Sequence, residues 1–285
     1  MKRIIIFTFI ALCAMCVFCQ NAKVDGVKYR VVSSTEAVVD ANNKVKGDVI
    51  IPEYVTIKKK RYKVTEIENF AFYQCKKIAN ITLPNSIRSI GMSAFEGCTA
   101  LTNINIPESV TKINGFAFRN TSIKSITIPK NVKRIEGYTF CNCYSLTSIT
   151  IPESVTSIEV RAFHASGLTS INIPNSVTSI ETDAFSWCNS LTSITIPNSV
   201  RSIGASVFSG CRNLREVIVP DNCSVSTSEP ALCIFLNCPN LVSIKGHNIE
   251  HPKWVVEYIL ACKSFIFEAS KIYKWAVNVK ENNYY

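Results

Sequence analysis

The chain is poor in charge, in histidine and in every familiar catalytic loop. Charged residues make up 18% of its 285 positions, below the ~25% of an ordinary domain, which excludes a highly charged coiled coil. An apolar content of 47% excludes a disordered chain. Three histidines, at 164, 247 and 251, are all the imidazole there is. No glycine-rich phosphate loop and no Gly-x-Ser-x-Gly turn occurs, so the usual signatures of nucleotide binding and acyl transfer are missing. Thirteen cysteines are present, about 5% of the chain and too few for a small disulfide scaffold.

One long hydrophobic run exists. Met1-Lys2-Arg3 is a short positive segment, and Ile4 to Cys19 is apolar or small apart from Thr8, with polar sequence from Gln20 onward. This is the shape of a secretory signal peptide, with Val17-Phe18-Cys19 before a cleavage point at Gln20. A membrane anchor would need about 20 apolar residues. Cys13, Cys16 and Cys19 raise a lipid anchor, but Leu12, Met15 and Phe18 precede them where a lipidation box wants a small residue. The expectation is an exported, soluble mature chain, secreted or held at the cell surface, without a membrane span.

What fills the rest is a repeat. An aliphatic residue followed by proline falls at Pro84, Pro107, Pro129, Pro152, Pro174, Pro197 and Pro220, at intervals of 22 or 23 residues. A phenylalanine keeps step at Phe72, Phe95, Phe118, Phe140, Phe163, Phe185 and Phe208. A fixed period of this length with the skeleton L-x-x-L-x-L is the signature of a leucine-rich repeat solenoid. In Leu191-Thr-Ser-Ile-Thr-Ile-Pro-Asn-Ser-Val-Arg-Ser-Ile203, alternation turns Ile194 and Ile196 inward and Ser193 and Thr195 outward. Pro197 ends the strand because it cannot donate the next ladder bond. Val200 and Ile203 bring the chain back, and Phe208 fills the wide side of the coil. Ala94, Ala117, Ala162 and Ala184 precede the phenylalanine, where a larger side chain would not fit. The coils at Phe118 and Phe163 are one residue shorter than the others. The deletion falls in the turn after phenylalanine and is expected to take the cysteine with it.

The unit Leu-Thr-Ser-Ile-Thr-Ile-Pro-Asn-Ser-Val, continued to Phe208 and Cys211, resembles the BspA-like family of leucine-rich repeats. That resemblance implies a β-rich, right-handed superhelix of about 23-residue coils, short parallel strands on one face, and atypical N- and C-terminal caps. It further implies exported or surface-displayed proteins linked to adhesion, with no catalytic residue to carry over.

The expected organisation is a signal peptide over 1–19, a strand-rich cap over 20–70, the solenoid over 71–220, a degenerate repeat over 221–250 and a terminal cap or tail over 251–285. Solenoids need such caps because each end exposes an apolar face. Tyr29 to Val32, Ala37 to Val39 and Val49 to Ile51 read as strands, and Lys58-Lys59-Lys60-Arg61 as a solvated turn. Trp254, Tyr258, Cys262 and Phe265 have helix-compatible spacing, leaving a helix or a mixed cap open.

The reactive groups are sparse. Cys75, Cys98, Cys143, Cys188, Cys211 and Cys238 share one position after phenylalanine and read as small buried hydrophobes. Cys223 with Cys233 is the pair best placed for a disulfide. His164 stands alone on a turn and reads as solvent-facing. His247-Asn-Ile-Glu250-His251 matches an inverted zinc motif, but Gly246 and Pro252 deny it a helix, so no catalytic, metal or cofactor site is expected. What remains is surface. Thr127, Ser148, Thr150, Ser170 and Asn172 form outward columns of hydroxyls and amides, beside basic residues Lys112, Lys124, Lys130, Lys133 and Arg134 with few acids near. They form the candidate binding face for an extracellular or host-surface protein or glycan. Nucleic acid is not expected, since the exposed positions show no aromatic platform. The alternative is a spacer or envelope component whose repeats supply shape alone, their polar columns bonding from coil to coil.

Overall fold

The computed structural model describes residues 20–42, 44–225, 234–248, 255 and 271–282. The proposed leader, Cys233, Glu250, His251, Trp254, Tyr258, Cys262 and Phe265 lie outside the described residues.

The cap is built from β1 (Asn21–Val24), β2 (Val27–Val31), β3 (Glu36–Val39), β4 (Lys46–Ile50), β5 (Tyr54–Ile57) and β6 (Lys60–Ile67). Strands β1, β2 and β3 pair antiparallel in sequence. Lys58 and Lys59, both left-handed at φ 48° and 66°, form the two-residue loop that returns β5 onto β6. Positive φ at both loop positions matches the right-handed twist of a hairpin. Thus the first half of the basic run is a turn, whereas Lys60 and Arg61 belong to a strand and Arg61 lies 3.9 Å over the Tyr54 ring.

Most coils then contribute two short strands. The main strands are β7 (Lys77–Thr82), β9 (Asn103–Asn105), β11 (Ser125–Thr127), β13 (Ser148–Thr150), β16 (Ser193–Thr195), β18 (Glu216–Val219) and β20 (Ser243–Gly246). Between them fall β8 (Ser89–Ile90), β10 (Lys112–Ile113), β12 (Arg134–Ile135), β14 (Ser157–Ile158), β15 (Ser179–Ile180), β17 (Ser202–Ile203) and β19 (Ser224–Val225). All pairings between coils are parallel and in equivalent register, such as Ile126 with Ile149 and Ile180 with Ile203. The cap is continuous with both ladders, because β4 pairs with β7 and β6 pairs with β8. The second strand of each coil was not legible as a strand. Its two residues carry no alternation of their own and become a ladder only when neighbouring coils stack.

The core is the expected one. Phe72, Phe95, Phe118, Phe140, Phe163, Phe185 and Phe208 are fully buried, as are Ala94, Ala117, Ala162 and Ala184. Consecutive rings lie nearly parallel with centroids 5.4–5.8 Å apart. The column gains an eighth member in Phe235, which follows Phe208 at an interval of 27 residues. Its signal was Phe235 three residues before Cys238, the spacing found in the regular coils.

The phenylalanine turn is also where the backbone tie is continuous. The Phe72 amide donates to the Ala94 carbonyl, Phe95 to Ala117, Phe118 to Thr139, and so on to Phe208 and Ile234. Residues two before and two after each of the first seven rings adopt left-handed φ, as Phe116 and Asn120 do around Phe118. The strand ladders, by contrast, break. The main ladder divides into β4-β7-β9, β11-β13 and β16-β18-β20, and residues 170–173 join no strand. The second ladder divides between β10 and β12. Both main-ladder breaks fall at the segments that follow the two short coils. There the entering amide still reaches the previous coil, Lys124 to Thr102 at 3.2 Å and Thr169 to Thr147 at 3.4 Å, but the ladder beyond it is not formed.

At the far end α1 (Lys271–Glu281) buries Ala276 and Val279 in the core. Among the described residues no helix is long and apolar enough to cross a membrane.

Candidate functional site

The outward columns are set by strand alternation. In β11 and β13, Ile126 is buried and Ile149 half-buried, while Ser125, Thr127, Ser148 and Thr150 are exposed. Ser170 and Asn172 are exposed as well, on the segment between the ladders. The sequence groups these side chains with the basic residues; the fold separates them. Lys112 and Arg134 stand on the second ladder, and with Lys133 they line an open cleft of about 310 Å³ where that ladder is broken. Lys124, just before β11, and Lys130, beyond Pro129 after it, are exposed. Nor is the patch free of acids. Glu136 lines the same cleft, Arg134 lies 4.0 Å from Glu159, and the Lys130 amide donates to Glu108.

Hydroxyls elsewhere are consumed by the stack. Ser109, Ser154, Ser176 and Ser199 each donate to a carbonyl one coil earlier at 2.6–2.7 Å. Thr111, Thr147, Thr156 and Thr178 do the same at 3.2–3.3 Å. Ladders of this kind account for much of the serine and threonine in the repeat. Within the described chain, the side chains of Thr127, Ser148, Thr150, Ser170 and Asn172 take part in no hydrogen bond.

The thiols line the inside of the turn. Cys98, Cys143, Cys188, Cys211 and Cys238 donate to the carbonyls of Phe72, Phe118, Phe163, Phe185 and Phe208 at 2.9–3.1 Å. Burial pushes the Cys98 thiol up to about 12 and the Cys143 and Cys188 thiols to about 11. The described cysteines are all free thiols. In the short coils the position is not lost, which corrects the sequence expectation: Thr121 and Ser166 occupy it and lie 3.4 and 3.3 Å from Cys143 and Cys188. The missing residue comes after it, just before Ile123 and Leu168.

Two further expectations change. His164 is half-buried, with Nδ1 2.7 Å from the Ser186 hydroxyl, because the neighbouring coil supplies a partner that the sequence could not reveal. Aromatic side chains do reach the surface: Tyr144 is 70% exposed, Phe70 47%, Tyr73 42% and Trp187 42%. They sit in the turns flanking the phenylalanine column, a position that strand alternation does not describe. His247 directs Nε2 to the Ile196 carbonyl at 2.7 Å. Among the described residues no three His, Cys, Asp or Glu side chains converge on a point that could hold a metal.

The comparisons agree with this architecture. The family model described as "BspA type Leucine rich repeat region" matches residues 65–192 and 178–267 in six copies. A leucine rich cell surface protein of Faecalibacterium prausnitzii is 25% identical, with a TM-score of 0.52 over 79% of this chain and 76% of that one. A leucine-rich repeat protein of Bacteroides ovatus is also 25% identical, with a TM-score of 0.55 over 79% of this chain and 70% of that one. No curated protein matches the chain. With the family model covering well over half of its length, the chain belongs to the BspA-type leucine-rich repeat family.

Proposed function

We propose that this protein is an exported, noncatalytic binding module that holds an extracellular protein or glycan through its main-strand face, with the separate basic cleft on the second ladder steering the partner. The observation that carries this reading is the contrast between the two sets of hydroxyls. Those on the turns bond from coil to coil and stabilise the stack, whereas Thr127, Ser148, Thr150, Ser170 and Asn172 keep their donors and acceptors for a partner. A rigid array of such groups, spaced by the coil repeat, suits an extended ligand. Lys112, Lys133 and Arg134 supply a positive field that would steer an acidic surface toward it. The leader and the description of the F. prausnitzii protein as a cell surface protein support placement outside the cell.

The test is binding of the full chain to extracellular-matrix and cell-surface preparations. Thr150→Arg with Asn172→Arg should abolish retention, and charge reversal at Lys112, Lys133 and Arg134 should weaken it in a salt-dependent manner. Undiminished retention by the double arginine variant would remove the main-strand face from the account, and no retention of the native chain would favour a spacer whose repeats supply shape alone.

A further inference from the structure

The second short coil leaves a feature that the main-strand face does not use. On the turn edge, between the coil of Asn142 and Tyr144 and the coil of Trp187 and Asn189, lies an open notch of about 340 Å³. Ala165, Ser166 and Gly167 lie between those walls, where the chain runs one residue short. Gly167 is pressed against the preceding coil, since a Cβ there would come within 2.1 Å of the Tyr144 carbonyl oxygen.

Two exposed aromatics border this notch, and one of them is held at a cost. Trp187 has φ 60°, a left-handed backbone that disfavours a bulky side chain by roughly 1–2 kcal/mol. The equivalent position carries asparagine at 120, 142 and 237 and glycine at 97 and 210, residues that accept this conformation readily, and otherwise Gln74 and Ala165, neither of them aromatic. The indole is backed by the next coil: a Cβ on Gly210 would come within 2.8 Å of its Cδ2, and the Arg212 guanidinium stands 5.7 Å from the ring. On the notch side the equivalent residue is Ala165, too small to cover the ring as Trp187 covers Gly210.

The polar side chains around the aromatics are Asn142, Asn189, Ser190, His164 and Ser166. Asn189 Oδ1 accepts from the Arg212 amide at 3.4 Å, leaving its Nδ2 as donor, while His164 Nδ1 and the Ser166 hydroxyl are engaged by Ser186 and Cys188. No Lys, Arg, Asp or Glu lines the notch, and burial, aided by Arg161, lowers the His164 pKa. Aromatic walls with a few uncharged donors and acceptors, in a volume near the ~300 Å³ lower bound of small-molecule sites, define the ligand. A sugar ring offers an apolar C–H face for stacking and a rim of hydroxyls for amides. A phosphate, sulfate or carboxylate would find no counter-charge among the groups that line the notch.

We propose that this notch binds a neutral sugar ring at the end of a glycan, stacked against Trp187 and Tyr144 and hydrogen-bonded by Asn142 and Asn189. The site shares no residue with the main-strand face or the basic cleft, so its failure would leave the proposed function standing. The experiment is an array of neutral oligosaccharides ending in glucose, galactose, mannose or N-acetylglucosamine, with sialylated and sulfated counterparts, probed with the full chain. At least one neutral terminus should bind, and more strongly than its sialylated or sulfated form. Trp187→Asn and Ala165→Asn should each reduce that binding at least tenfold, the first by removing the platform and the second by filling the notch. Both introduce a residue that accepts left-handed φ, so an unchanged melting temperature separates a lost ligand from a lost fold. Absence of binding to every neutral glycan, preference for the charged forms, or full binding by both asparagine variants would overturn the proposal.

Discussion

The Cys188 thiol donates to the Phe163 carbonyl oxygen at 3.1 Å, tying the turn of one coil to the aromatic column of the coil before it. The Ser166 hydroxyl, 3.3 Å away, continues the same column where no cysteine is present. The thiol is thus a second donor to a carbonyl that already accepts the Ser166 amide, and a hydroxyl can occupy the same place in the stack.

That equivalence makes Cys188→Ser a mild substitution. The hydroxyl has its acceptor in place, so the expected loss is below ~1.5 kcal/mol, close to the worth of a single net hydrogen bond. Cys188→Leu should cost more, ~1–3 kcal/mol, by overpacking. Urea unfolding of the two variants gives the comparison, and a serine variant as damaged as the leucine one would contradict it.

The buried thiols predict a stability that falls in alkali. The ordinary thiol value is 9.0, against about 11 for Cys143 and Cys188 and about 12 for Cys98 in the fold. Between those values the unfolded chain ionises and the folded one does not. Stability is therefore whole below pH 9 and declines as pH rises toward 11 and 12, by about 1.4 kcal/mol per pH unit for each such thiol. Urea midpoints at pH 8, 9 and 10 should drop accordingly, with a shallower slope for the Cys143→Ala, Cys188→Ala double variant. Equal slopes would assign the decline to other groups.

Phe163 is sandwiched between Phe140 at 5.6 Å and Phe185 at 5.4 Å and is fully buried. Phe163→Ala should cost ~3–5 kcal/mol and lower the melting temperature by many degrees. A shift of one or two degrees would mean that the column does not hold the coils together.

Gly167→Ala should destabilise by ~1–3 kcal/mol, since the added carbon meets backbone rather than a flexible side chain. Gly26→Ala meets nothing within 4 Å but sits at φ 84°, so its cost comes from backbone strain alone. Calorimetry on the pair would separate contact from conformation, and a Gly167→Ala variant as stable as the native chain would show that the coils at Tyr144 and Gly167 can part.

Much of the fold was legible because each regular coil repeats the same demands. Ile194 and Ile196 face inward, and Ser193 and Thr195 outward, as their alternation requires. The candidate face was legible only as a set of residue types. Nothing in the strings around Thr127 and Thr147 tells which threonine bonds to the previous coil and which is left open. That depends on where each side chain stands relative to a carbonyl about 22 residues away. His164, Tyr144 and Trp187 were misjudged or missed for a related reason, as their surroundings come from coils before and after their own.

By itself the sequence determined the period, the buried aromatic column and the polarity of each strand face, because these follow from local alternation and from a repeat that any coil must share with its neighbours. Only the tertiary structure decided where the ladders break, which hydroxyls remain free and that a notch opens beside Trp187. Those outcomes arise from how two coils of unequal length sit against each other, and a single missing residue acts only once its neighbours are in place.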